Sequence, residues 1–125
     1  MAYHSFEELE VWKRACRLAV DLYQSLQDNK QYALKDQMQR AAVSIASNIA
    51  EGCERDSKPD FVRYLRIAKG SAAELRTQLY IAQRLQILDV TTSSNFLREC
   101  KEIGAMLQGL IRSVSVPTKP LFRPS

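Results

Sequence analysis

Along four long stretches of the chain, apolar residues recur in steps of three and four, and no stretch alternates with the period of a strand. The pattern predicts amphipathic helices and no sheet. The stretch at 40–52, RAAVSIASNIAEG, organises the rest. Leu34, Met38, Ala41, Ile45 and Ile49 make its apolar stripe, within a helix predicted over 32–53. Its other sides are small: Ala42, Val43, Ala46, Ser47 and Ala50. Such a helix lets neighbours approach closely on more than one face.

A first helix is predicted over 6–27, with Ser5 as its cap and Glu7, Glu8 and Glu10 at the positive end of its dipole. Its main stripe reads Leu9, Trp12, Cys16, Ala19, Tyr23 and Leu26, and a second runs beside it through Val11, Ala15, Leu18 and Leu22. The third helix, over 58–85, is the longest. Ser57 caps it and Pro59 sits in its first turn, where no intrahelical donor is needed. Phe61, Tyr64, Leu65, Ala68, Ala72, Leu75, Leu79 and Ala82 form its core stripe, within an arc of about 100°. Ile67, Ser71, Glu74, Gln78, Ile81 and Leu85 make a mixed stripe off that arc. The fourth helix is predicted over 94–114, capped by Thr92 or Ser93, with a narrow seam of Phe96, Cys100, Ile103, Leu107, Leu110 and Val114. Short polar turns join the four. The fold class is therefore all-α, a single-domain antiparallel up-down-up-down bundle over 1–114. Three prolines in the last nine residues stop any helix, and the tail 115–125 is expected to be disordered.

Composition adds limits. A chain of 125 residues with 46% hydrophobic and 26% charged content buries one ordinary core. There is no run of about 18 apolar residues, so no membrane span is expected. The acidic start, MAYHSFEELE, is unlike a secretion signal, and a cytoplasmic location is expected. Three cysteines without such a signal argue against disulfides; Cys16 and Cys100 read as buried hydrophobes, and Cys53 has no metal-binding neighbour. Net charge is +4, which permits a polyanion partner without demanding one.

Catalytic chemistry finds little support. The single histidine, His4, precedes the first helix and reads as solvated; no phosphate loop, HExxH or Glu-x-x-His pair is present. No metal, cofactor or catalytic residue is expected, and Glu51 with Glu54 reads as a helix-end charge pair. Asn48, Ser71 and Glu74 fall at inner or interface positions, where a polar group needs partners; they read as a register-fixing network or as ligand contacts. The best candidate for a binding surface is one flank of the third helix. Six cations lie between Lys58 and Arg84 against Asp60 and Glu74 alone. Arg63, Arg66, Lys69, Arg76 and Arg84 occupy that flank, spaced to meet a run of phosphates. Apolar surface beyond the need of one core, on the first three helices, predicts a homo-oligomer.

Three segments, FEELEVWKRACRLAVDLY, LKDQMQRAAVSIASNIAEG and FVRYLRIAKGSAAELRTQL, resemble the bacterial four-helix-bundle proteins of 23S ribosomal RNA intervening sequences. The accessory variability proteins of diversity-generating retroelements are similar in fold. The resemblance covers 6–114. It implies assembly into a pentameric ring. For the retroelement branch it implies binding of nucleic acid and of a reverse transcriptase through the basic outer surface. Arg40, Asn48, Glu51, Gly52, Ser71 and Glu74 are the positions it carries over, as structural elements. Two functions from different classes follow: a non-enzymatic ring that holds RNA or DNA by its phosphates, or a protein-interaction scaffold that binds no nucleic acid.

Overall fold

The structure, a computed structural model, describes residues 5–116. His4 and the greater part of the Pro-rich tail, 117–125, lie outside the described residues. Four helices follow a short 3-10 turn at Phe6–Glu8: α1 at Glu10–Ser25, α2 at Tyr32–Cys53, α3 at Lys58–Arg84 and α4 at Val90–Ser115. Each packs on the next in sequence, and α4 returns to α1; the diagonal pairs α1/α3 and α2/α4 have no such close backbone approach. That is the antiparallel four-helix bundle the sequence predicts, with no strand among the described residues. One continuous core fills its axis, from Leu22, Leu26, Met38, Ile45 and Ile49 to Phe61, Leu65, Leu75, Leu79, Ile103 and Leu107.

The first helix differs from expectation in two ways. Its start is broken. Ser5 accepts from the Glu7 N–H at 3.1 Å and caps only the 3-10 turn, and Leu9 is extended before α1 begins. The break lets Leu9 drop into the core while Phe6 meets Trp12 edge-on at 5.1 Å. The stripes are also partly exchanged, although Leu9 and Leu26 of the first stay buried. Val11, Ala15, Leu18 and Leu22 are buried, whereas Trp12, Cys16 and Ala19 are half-buried and Tyr23 is 59% exposed. Either stripe is apolar enough to face a core. Aliphatic side chains can be fully enclosed, but Trp and Tyr carry a polar end that favours the margin. Cys16 is accordingly not a core residue.

α4 begins four residues earlier than the apolar pattern indicates. Its cap is Asp89, not Thr92 or Ser93: the Asp89 carboxylate accepts from the Thr92 N–H at 2.7 Å. Ser93 is inside the first turn, and its hydroxyl donates to Asp89 O at 2.9 Å. Val90 faces solvent, so periodicity becomes visible only near Phe96. Further along, Ile111 is buried and Leu110 half-buried, so the seam rotates slightly from the predicted one.

α3 forms over the predicted span, with the Ser57 hydroxyl accepting from the Asp60 N–H at 3.2 Å, but Tyr64 of its expected core stripe is only half-buried, whereas Ser71 and Gln78 are buried. Its end is a Schellman turn: Ile87 N–H donates to Ala82 O at 2.9 Å and Gln86 N–H to Gln83 O at 3.1 Å. Gln86 takes φ 58°, where glycine is the usual residue.

Candidate nucleic-acid interface

α3 and α4 do not close on each other along their outer edge. Gly70 and Ala73 on α3 face Gly104 and Ala105 on α4, and with so little side chain there a groove of about 630 Å³ opens between them. Arg66, Lys69 and Arg76 line one wall; Lys101 and Gln108 line the other. Arg66 to Arg76 spans ten residues of helix, about 15 Å of groove at 1.5 Å per residue. No carboxylate lines it, and none lies within ion-pair distance of its four cations among the described residues. Lys69 Nζ instead donates across the groove to Gln108 Oε1 at 2.7 Å, a neutral partner that leaves its charge uncompensated. Arg76 is half-buried, and its Nε has no hydrogen-bond partner.

The other cations are differently occupied. Arg63 lies 3.7 Å from Asp60 and stacks on the Tyr64 ring at 4.6 Å, beside Arg55 on the same ring. Arg84 is in the last turn of α3, where it meets the negative end of the helix dipole. Neither lines the groove. Arg14 on α1 is held by Glu99 and Glu102 of α4, with Nε 2.9 Å from Glu99 and Nη2 2.8 Å from Glu102. Those carboxylates, Glu99 first, raise its pKa above the ordinary arginine value. The five predicted cations therefore separate into three that line one groove and two outside it. Lys101 and Gln108 were missed by sequence reasoning. Their signal is Gly104-Ala105 facing Gly70 and Ala73, legible only once α3 and α4 are paired.

The polar positions predicted as a network all lie along the α2/α3 seam. Asn48 Nδ2 donates to Ser44 O at 2.8 Å and to Ser44 Oγ at 3.0 Å; Ser44 Oγ in turn meets Ser71 Oγ at 2.9 Å. This relay crosses from α2 to α3. Glu51 accepts from the Tyr64 hydroxyl at 3.3 Å. Gly52 sits inside the last turn of α2, and a Cβ there would lie 2.7 Å from Tyr64 Cβ. Only glycine allows that approach. Arg40 and Glu74 line a smaller recess with Gln37, Ser44 and Gln78, but no ion pair joins them.

The described residues hold no cluster of His, Cys, Asp and Glu able to bind a metal. Burial pushes the Cys100 thiol up to about 12, against the opposing pull of the Arg76 charge. Cys16 and Cys53 are also raised by burial. None is poised as a nucleophile. Among the described residues no helix is long and apolar enough to cross a membrane.

No curated protein matches the chain. Among the solved structures to which the chain is similar is a protein of unknown function from the S23 ribosomal protein family of Bacteroides thetaiotaomicron. The TM-score is 0.77 at 25% identity, over 82% of this chain and 98% of that one. The family model described as 23S rRNA-intervening sequence protein matches residues 7–109, which take in all of α1, α2 and α3 and most of α4, and the chain belongs to that family.

Proposed function

We propose that the protein is a non-enzymatic, cytoplasmic, ring-forming bundle that binds nucleic acid through its phosphates. The observation that carries this reading is the carboxylate-free band of Arg66, Lys69, Arg76 and Lys101. Arg14 and Arg63 are ion-paired, whereas among the described residues no carboxylate lies within ion-pair distance of these four. Backbone phosphates are the ligand such a band fits, and contacts of this type carry no base specificity. Assembly into a ring, a pentamer by resemblance to the family, repeats the band around the particle and multiplies a weak contact. Titration against a structured RNA at two salt concentrations tests the reading. Binding at low salt that weakens steeply with added salt is expected. Absence of binding at low salt, or binding indifferent to salt, overturns it.

A second reading rests on a different observation. Val43, Ile67, Ile81 and Leu85 are exposed on α2 and α3. As a scaffold, the ring would offer such a surface to a protein partner, a reverse transcriptase in the retroelement branch. Recovery of one protein partner after nuclease treatment, with no nucleic acid retained, favours that alternative.

A further inference from the structure

We propose that the α3/α4 groove takes a single, unpaired nucleic-acid strand, and that the basic face is selective for unpaired strands over duplex. This rests on the phosphate-binding reading above and specifies its ligand.

The shape of the cationic site carries the inference. The cations flank a trench and do not stand on a convex ridge. Arg76 is half-buried and lines the groove together with Cys100 of α4. Lys69 is drawn across the opening by Gln108. A duplex presents its phosphates on a broad convex cylinder and touches only the rim of such a trench. A single strand is narrow enough to lie inside, where its phosphates reach both walls. The groove, about 630 Å³ and open to solvent along its length, has room for a nucleotide unit.

The floor gives a second, independent argument. A Cβ placed on Gly70 or Gly104 meets no atom within 4 Å, so the space above both is open. Ala72, Ala73 and Ala105 add only methyl groups to the lining between the glycines. A sugar edge or base face can rest there without a polar group being stranded. Gly70, Gly104 and these alanines carry no side-chain hydrogen-bonding group to read a base edge, so the contacts that hold the strand are those to its phosphates. On binding, Lys69 exchanges Gln108 for a phosphate oxygen, a neutral partner for a charged one.

The same openness supplies a test that leaves every charge in place. Gly70→Leu with Gly104→Leu fills the trench from both sides, has room to do so, and replaces glycine by a better helix former. Fluorescence anisotropy is read with a labelled twelve-nucleotide oligouridylate and with an RNA duplex of equal length, at low and moderate salt. The wild-type protein is expected to bind the single strand at least tenfold more tightly, and the filled variant to lose at least tenfold on the single strand with unchanged helicity. Equal affinity for strand and duplex, or a filled variant that binds the strand as well as the wild type, overturns the groove assignment while phosphate binding stands. Failure of both RNAs to bind at low salt overturns both proposals.

Discussion

At the scale of single residues, close approach and burial decide what each position tolerates. Gly52 is the clearest case. Alanine there would place its Cβ 2.7 Å from Tyr64 Cβ, 3.1 Å from Phe61 Cδ1 and 3.3 Å from Phe61 O. The helix-propensity gain of alanine is about 1 kcal/mol, and forcing α2 from α3 costs about 1–3 kcal/mol. Gly52→Ala is therefore expected to lower stability in urea denaturation, whereas Gly70→Ala and Gly109→Ala, which meet nothing, raise it slightly. Thiol chemistry follows burial in the same way. With Cys100 pushed up to about 12, iodoacetamide at pH 8 should leave it unmodified in the folded protein and alkylate it only after denaturation. Asp89 shows the opposite shift. The Thr92 N–H, and then the Thr92 hydroxyl, hold its carboxyl below the usual aspartate value. A depressed folded pKa contributes stability that is full above the unfolded value, about 3.9, and is lost as pH falls through the folded value. Acid should thus loosen the first turn of α4, and Asp89→Asn should flatten that dependence in an NMR titration of the Thr92 amide.

At the scale of elements, caps and stripes set boundaries and faces. The Schellman turn closing α3 holds Gln86 at φ 58°. A side chain in that region costs about 1 kcal/mol relative to glycine, less the extra unfolded-chain entropy that glycine brings. Gln86→Gly should therefore stabilise the bundle, by up to about 1 kcal/mol in denaturant melts. On α1, Leu22 is fully buried and Tyr23 mostly exposed. Leu22→Ala should cost about 2–5 kcal/mol and Tyr23→Ala within about 0.5 kcal/mol. These two residues also mark what the sequence could convey. The bounds of α2, its Met38, Ile45 and Ile49 stripe, and most of the core of α3 were legible because the larger aliphatic side chains of each gather on one face. α1 carries two comparable stripes, and only packing against α2 and α4 selects between them. The start of α4 was hidden by an exposed valine and an aspartate that caps without an adjacent apolar repeat. In the groove, Arg66, Lys69 and Arg76 could be read from one helix; Lys101 and Gln108 belong to another, and periodicity within a helix says nothing about which face of a neighbour it meets.

At the scale of the whole molecule, α3 divides two surfaces. On its α2 side lie Ser71 and Gln78, with Ile67, Ile81 and Leu85 exposed beyond them. On its α4 side lie Arg66, Lys69 and Arg76. If the apolar side joins copies and the cationic side holds nucleic acid, the two are separable by mutation. Ile67→Glu with Ile81→Glu places charges at exposed positions, so the fold should survive; circular dichroism checks this. Native mass spectrometry should then show a monomer where the wild-type protein is expected to form a ring. Apparent affinity for long RNA should fall at least tenfold, since linked sites gain about 10²–10⁴ in avidity, while affinity for an oligonucleotide that occupies one groove should be unchanged. Arg66→Ala with Lys69→Ala should do the reverse: assembly kept, both affinities reduced, and the salt slope smaller by about one for each phosphate no longer held. A wild-type protein that is monomeric at micromolar concentration removes the ring. An apolar-side variant that loses the short oligonucleotide as well as the long RNA shows that the two sides of α3 are not independent, and that the groove is complete only within the assembly.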